Sequence, residues 1–66
     1  MKITVNGQNK ELSQAVNLKN IIETYCKNTQ RVIAEVNGQI VKCSRWEQIV
    51  LNDGDTIELV SFVGGG

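Results

Sequence analysis

The chain has 66 residues, and its seven basic side chains balance seven acidic ones, so the formal net charge is zero. This length supports one small domain with little volume for a deep catalytic pocket, and the balanced charge gives no electrostatic reason to expect nucleic acid or an anionic membrane as a partner. The sequence contains no histidine, which excludes a histidine general base and a histidine metal ligand.

The N-terminal residues predict a β-hairpin. Ile3 and Val5 alternate with polar residues, which is the period-two pattern of a strand with one buried face. Asn6-Gly7 follows, and this dipeptide is a strong turn signal because both residues tolerate a positive φ angle. A second short strand is therefore expected around residues 9–12.

A single amphipathic helix is predicted after this hairpin. Asn17 offers a side-chain oxygen as an N-cap, and we expect the helix to end near Lys27 or Asn28. Apolar side chains fall at positions i, i+3, i+4 and i+7, which places them on one face of the helix. These side chains belong to Leu18, Ile21, Ile22 and Tyr25.

A second hairpin is predicted in the middle of the chain. Residues 32–36 alternate so that one face carries Val32, Ala34 and Val36. Asn37-Gly38 repeats the earlier turn signal, and residues 39–41 resume an extended structure. The two strands are therefore expected to pair.

The last part of the chain predicts a short helical turn and a closing strand. Ser44 is expected to cap one helical turn, in which Trp46 covers an edge of the core. Val50 and Leu51 are extended, and residues 52–55 form a tight turn. The final strand, residues 56–63, is the most apolar, so we expect it to lie inside the sheet.

Two cysteines, Cys26 and Cys43, stand apart in the sequence without a C-x-x-C motif, so we predict no metal site. The N-terminal residues contain no long apolar run, so neither a signal peptide nor a membrane span is expected. We therefore expect a cytoplasmic location, where a reducing environment keeps the cysteines as free thiols.

The predicted order, β-β-α-β-β-turn-β, indicates an α+β domain in which one main helix packs on one face of a mixed sheet of about five strands. This pattern resembles a ubiquitin-like β-grasp domain. Within that group it is similar to the ThiS family of thiamine-biosynthesis sulfur carriers, through four segments. They are residues 36–41 (VNGQIV), 46–47 (WE), 52–55 (NDGD) and 62–66 (FVGGG). We expect a β-grasp domain over residues 1–63 and a flexible glycine tail over residues 64–66.

The resemblance implies a sulfur carrier that is a protein cosubstrate and not an enzyme. An E1-like adenylyltransferase of the ThiF type would use ATP and magnesium to form an acyl-adenylate on Gly66, while the chain itself binds no cofactor. Sulfur from a cysteine desulfurase or a sulfurtransferase would then displace AMP and leave a thiocarboxylate. Thiazole synthase of the ThiG type would accept that sulfur.

The candidate site therefore lies at the C-terminal end of the chain. Gly66 is expected to carry the chemistry, and Gly64 and Gly65 to thread the partner's channel, where a Cβ would clash. Alternation along the last strand turns Ile57 and Leu59 toward the core. Partner contacts are expected from the outward residues and the start of the tail, namely Val60, Phe62 and Val63. Phe62 folding back on the rim of the sheet is the alternative.

Other interpretations remain open from the residues alone. A small subunit of molybdopterin synthase is generally longer and often carries proline before its glycines, and neither feature occurs here. A ubiquitin-like modifier would use the same activation but transfer its terminus to lysines. A plain interaction module would not be adenylated. An enzyme is the least favoured class, because the carboxylates are scattered singly along the sequence.

Overall fold

A computed structural model describes residues 1–61 of the chain. Its strands are β1 (Lys2–Val5), β2 (Gln8–Glu11), β3 (Val32–Val36), β4 (Gln39–Val41) and β5 (Thr56–Ser61). One α-helix, α1, covers Leu18–Tyr25, and two 3₁₀ helices cover Thr29–Arg31 and Cys43–Gln48. The predicted element order is confirmed, with the first 3₁₀ helix as an addition.

The five strands form one sheet in the order β2-β1-β5-β3-β4. β1 pairs with β5 in parallel, whereas the other neighbours are antiparallel, so the sheet is mixed. β5 therefore occupies the centre, as its apolar composition predicts. The two outer strands are short, which limits the unpaired backbone that each edge presents to solvent.

One face of the sheet packs against α1 and forms the core. The buried apolar residues are Ile3, Val5, Leu18, Ile21, Ile22, Ala34, Trp46, Leu51, Ile57 and Leu59. Trp46 is 6% exposed, and its indole Nε1 donates to the backbone oxygen of Val41 at 2.9 Å. The predicted role of Trp46 at the edge of the core is confirmed.

Both Asn-Gly turns form as predicted. Asn6 and Asn37 have φ angles of 50° and 53°, and the glycine after each has a φ of 81° or 84°. Positive φ at both central residues gives a turn whose twist matches that of the flanking strands. These turns set the registers in which Val5 pairs with Gln8 and Val36 pairs with Gln39.

The C-terminal end of the helix differs from the prediction. α1 ends at Tyr25, and Cys26 is already extended, with its N–H donating to the oxygen of Ile22 at 2.8 Å. Tyr25 is 45% exposed and not part of the core. Its ring instead lies 5.4 Å from the Lys10 ammonium, because the last turn of the helix overhangs the polar edge strand β2.

Two further local predictions need correction. The second 3₁₀ helix begins at Cys43, and its N-cap is Lys42 with no side-chain hydrogen bond, so Ser44 is not its cap. The first 3₁₀ helix was not expected, although Asn28 caps it by accepting from the Gln30 N–H at 3.1 Å. This turn lies in the connection between the end of α1 and the start of β3.

Candidate functional site

The predicted reactive end of the chain lies outside the described residues. Phe62, Val63, Gly64, Gly65 and Gly66 all follow Ser61, where the description ends. The predictions for these five residues, and for a glycine tail separate from the domain, therefore stay predictions. The structure does describe the strand that leads to them and the surface around that strand.

β5, the strand that precedes this segment, lies in the middle of the sheet. Ile57 is fully buried and Leu59 is 8% exposed, so both side chains anchor the strand in the core. β5 pairs with β3 over five residue pairs and with β1 over two. The residues after Ser61 therefore follow a strand that the sheet and the core hold in place.

Asn6 extends the support of β5 beyond the end of β1. Its backbone N–H donates to the Ile57 oxygen at 2.9 Å. Its side-chain oxygen, Oδ1, accepts from the Leu59 N–H at 2.7 Å. The side chain therefore takes the place of a strand neighbour where β1 has already turned away, so the Leu59 N–H is not left unpaired.

Asn37 supports the other end of β5 in a similar way. Its backbone N–H donates to the Thr56 oxygen at 2.8 Å, and its Oδ1 accepts from the Thr56 N–H at 2.9 Å. Its Nδ2 also donates to Asp55 Oδ1 at 3.0 Å. Each Asn-Gly dipeptide therefore forms a hairpin turn, and its asparagine side chain also accepts a hydrogen bond from the backbone of β5.

The face of the sheet opposite α1 is called the open face here, and its central part comprises Ile33, Glu35, Ile40, Glu58 and Val60. Val60 is 49% exposed, which confirms its predicted outward position. Ile33 lies directly opposite Val60 in the register of β3 and β5. Sequence reasoning missed Ile33 and Ile40, which are 37% and 70% exposed. The alternation within residues 32–36 was the available signal, since it turns Ile33 away from the core.

The open face also brings two acidic side chains together. Glu35 pairs with Glu58 across β3 and β5, and Glu35 pairs with Ile40 on its other side. Side chains directly opposite each other on antiparallel strands have Cβ atoms about 4.5–5.5 Å apart, and like charges in that position are destabilising. Within residues 1–61 neither carboxylate has an ion-pair partner.

A shallow depression borders the open face at β4. Its volume is about 560 Å³, and its lining includes Ile40, Lys42, Ser44 and Arg45. Its charged groups are cationic, in contrast to the acidic pair on the open face. Ile40 belongs to both surfaces, so the cationic depression adjoins the acidic pair of the open face at β4.

Both cysteines are free thiols and lie in different environments. Cys26 is partly buried beside the core, and burial raises the pKa of its thiol. Cys43 is exposed at the start of the second 3₁₀ helix. A raised pKa lowers the fraction of reactive thiolate at neutral pH, so burial makes the Cys26 thiol less reactive than a solvated thiol with the ordinary pKa.

The described part of the chain holds neither a metal-binding cluster nor a membrane-spanning helix. Among residues 1–61, no three or more cysteine, aspartate or glutamate side chains come together as a metal-binding group. In the same residues, no helix combines the length and apolar character that crossing a bilayer requires.

Comparisons with known proteins bear on the whole chain. The sequence model of the ThiS family matches residues 3–66. The chain is 33% identical over its whole length to a thiazole synthase of Paramagnetospirillum magneticum, of which it spans 20%. It is also 37% identical over 49 residues to the sulfur carrier protein ThiS of Bacillus subtilis, covering 74% of each.

A solved structure shows the same fold. The crystal structure of the thiamine biosynthesis protein ThiS from Geobacter metallireducens superposes with a TM-score of 0.84, at 26% sequence identity and with both chains fully covered. The five-stranded mixed sheet with one main helix is therefore the ubiquitin-like β-grasp fold. Because the family match covers nearly the entire sequence, the chain belongs to the ThiS family.

Proposed function

We propose that this chain is a sulfur carrier of thiamine biosynthesis, and that it holds the sulfur as a thiocarboxylate on Gly66. The observation that carries the proposal is the family match over residues 3–66, which includes the three terminal glycines. The described body supports it, because the central strand β5 leads directly into this segment. The chain acts as a protein cosubstrate for other enzymes.

The terminal carboxylate must be activated before it can accept sulfur. An α-carboxyl group has a pKa of about 3.5, so at neutral pH it is ionised and is a poor electrophile. An E1-like adenylyltransferase of the ThiF type, using ATP and magnesium, joins a carboxylate oxygen of Gly66 to the α-phosphorus of ATP and releases pyrophosphate. A persulfide sulfur of a cysteine desulfurase or sulfurtransferase then attacks the acyl carbon, and the bond from that carbon to the AMP oxygen breaks. A thiol reductant cleaves the resulting sulfur–sulfur bond, which leaves the thiocarboxylate on Gly66 and an oxidised disulfide.

The length of the C-terminal segment limits where that chemistry takes place. Five residues follow Ser61, and an extended chain spans at most about 3.5 Å per residue. The reacting carbon of Gly66 therefore lies within about 17 Å of the end of β5. The partner must accordingly bind the β-grasp body close to its own active site, and the open face beside Val60 is the surface proposed for this contact.

Thiazole synthase of the ThiG type is the proposed acceptor of the sulfur. A relative named thiazole synthase contains a segment similar to this entire chain. This similarity supports the proposal that the sulfur carrier and the sulfur acceptor act in the same biosynthetic process. It also explains why the carrier needs a body that two partners in turn can recognise.

Deletion of Gly66 tests the proposal directly. The deletion moves the carboxylate back by about 3.5 Å, and a misplacement of 1 Å can cost on the order of 10²-fold in rate. We expect intact-mass spectrometry of the parent, co-expressed with its adenylyltransferase and a sulfur donor, to show one terminal oxygen replaced by sulfur. The shortened chain should keep its melting temperature and lose this mass shift.

Two outcomes would contradict the sulfur-carrier proposal. The first is a parent protein that shows only the plain carboxylate, together with a shortened chain that still supports thiazole formation. The second is a parent that becomes linked to lysines of other proteins, which would favour the modifier function. Addition of an alanine after Gly66 should be equally damaging and abolish the mass shift, because it displaces the carboxylate in the opposite direction and adds a Cβ.

A further inference from the structure

The two Asn-Gly turns of the sheet are chemically matched. The same tetrapeptide, Val-Asn-Gly-Gln, occupies residues 5–8 and residues 36–39. In both copies the asparagine and the glycine are exposed and have positive φ angles. At both glycines no described heavy atom outside the adjacent residues lies within 4 Å of the position that a Cβ would occupy. A difference in reactivity between the two asparagines must therefore come from the contacts of their side chains.

An Asn-Gly dipeptide can lose its side-chain amide to water without an enzyme. Glycine has no side chain to hinder its own backbone nitrogen, which attacks Cγ of the asparagine. The side-chain nitrogen leaves as ammonia and carries away the N–H proton of the glycine. Water then opens the succinimide ring, since its hydroxyl adds to one ring carbonyl carbon and its other proton returns to the backbone nitrogen. The product is aspartate or isoaspartate, and water is the only co-reactant.

The two side chains differ at the nitrogen that leaves in this reaction. Asn37 is bound at both ends of its amide, because Oδ1 accepts from the Thr56 N–H at 2.9 Å and Nδ2 donates to Asp55 Oδ1 at 3.0 Å. Asn6 is bound at one end, where Oδ1 accepts from the Leu59 N–H at 2.7 Å. Among residues 1–61, no acceptor binds the Nδ2 atom of Asn6.

We propose that Asn6 is a deamidation site of the folded protein, and that Asn37, in the same tetrapeptide, is protected by its hydrogen bond to Asp55. Ring closure takes place in a locally opened turn. Opening at Asn6 breaks one side-chain hydrogen bond, whereas opening at Asn37 breaks two, one of them with a charged acceptor. Hydrogen bonds to charged groups are the stronger kind, so Asn6 should react roughly 10-fold faster than Asn37, or more.

The two positions also differ in how they accommodate aspartate. At position 6, a carboxylate oxygen still accepts from the Leu59 N–H, and an ionised acceptor strengthens that hydrogen bond. At position 37, an oxygen takes the place of Nδ2, which lies 3.0 Å from Asp55 Oδ1, so two anions repel each other. Isoaspartate lengthens the backbone of either two-residue turn and disturbs its match to the strands. The fold thus protects the asparagine whose conversion to aspartate it tolerates less.

The test follows both sites in one molecule. The purified protein is incubated in mildly alkaline buffer, either folded or unfolded in urea, and its tryptic peptides are quantified by mass spectrometry. Cleavage after Lys10 and Arg31 places the two asparagines in different peptides. In urea the two sites should convert at closely similar rates, because their tetrapeptides are identical. In the folded protein Asn6 should convert roughly 10-fold faster, or more.

Asp55→Asn gives a matched control, because it removes the charged acceptor of Asn37 and leaves the side-chain contacts of Asn6 in place. Conversion of Asn37 should become faster, while the rate at Asn6 stays that of the parent. An equal acceleration at both sites would reflect a general loss of stability and would overturn the protection by Asp55.

The aspartate products are tested by substitution. Asn6→Asp should keep the parental melting temperature at neutral pH, and Asn37→Asp should lower it. Equal falls for the two variants would reject the difference in tolerance. The deamidation site itself is overturned if the folded protein converts both asparagines at the same rate or converts Asn37 faster. It is also overturned if Asn6 stays intact in the folded protein while the unfolded chain reacts.

Discussion

At the scale of single residues, two asparagines connect the hairpins to the central strand. Asn6 and Asn37 both adopt left-handed backbone conformations, which asparagine tolerates better than other residues with a side chain. Both also use their side chains to bind the backbone of β5, at Leu59 and Thr56 respectively. One residue type thus meets a backbone requirement and a hydrogen-bonding requirement at the same position.

Substitutions at Asn37 separate these two requirements. Asn37→Gly keeps the positive φ and loses the side-chain bonds to Thr56 and Asp55, so we expect a loss of about 1–2 kcal/mol in unfolding free energy. Asn37→Ala also places a Cβ in the left-handed region, so its loss should be about 2–4 kcal/mol. Urea denaturation of both variants measures the difference. Equal losses would show that the backbone conformation contributes nothing.

At the scale of elements, α1 shows how an eight-residue helix is held in place. Isolated helices of this length are unstable in water, so tertiary contacts must supply the stability. Asn17 forms a reciprocal capping box with Asn20, with hydrogen bonds of 2.8 and 3.2 Å. Leu18 and Ile22 are fully buried and Ile21 is 4% exposed, so the first two turns of the helix make nearly all of its core contact.

A pair of truncations on the helix tests this distribution of contacts. Ile22→Ala removes a fully buried side chain and should cost about 2–5 kcal/mol, which approaches the whole stability of about 5 kcal/mol expected for a small domain. Tyr25→Ala removes a half-exposed ring and one cation–π contact with Lys10, so its cost should be about 1 kcal/mol. Thermal melts followed by circular dichroism compare them. Similar losses from the two would contradict the position of Tyr25 outside the core.

At the scale of the whole molecule, one face of the sheet forms the core, and the other is exposed and is the surface proposed for partner contact. The buried apolar residues of the strands all point toward α1, and alternation leaves the side chains between them on the open face. Because each strand of the sheet centre contributes to both faces, core residues and residues of the proposed contact surface occupy alternate positions. Substitutions on the open face can therefore change partner binding while the core remains intact.

Neighbouring positions on β5 provide a matched test of this division. Val60→Ala shortens a side chain on the open face, so the melting temperature should hardly change and affinity for the adenylyltransferase should fall. Leu59→Ala truncates the inward neighbour and should cost about 2–5 kcal/mol of stability. We expect Phe62→Ala, outside the described residues, to behave like Val60→Ala. A large fall in the melting temperature of Val60→Ala with unchanged affinity would reject the separation of the two faces.

Much of this fold follows from local signals in the sequence. These signals are the alternation in β1, the two Asn-Gly turns, the Asn17 cap and the spacing of Leu18, Ile21 and Ile22. Each of them depends on residues that are close to one another in the sequence. Backbone sterics and amphipathic periodicity act over such short distances, so they can be read without knowledge of the tertiary structure. The same alternation predicted correctly that Val60 lies outside the core.

Other features depended on which segments meet in space. The exposure of Tyr25 follows from the narrow, polar edge strand β2 beneath it, and the pairing of Glu35 with Glu58 follows from the β3–β5 register. The sequence by itself determined the order of the strands and the main helix, the family, and the glycine end expected to carry the chemistry. Only the tertiary structure decided which side chains share the open face and what the asparagine side chains bind, because these contacts join residues up to 53 positions apart.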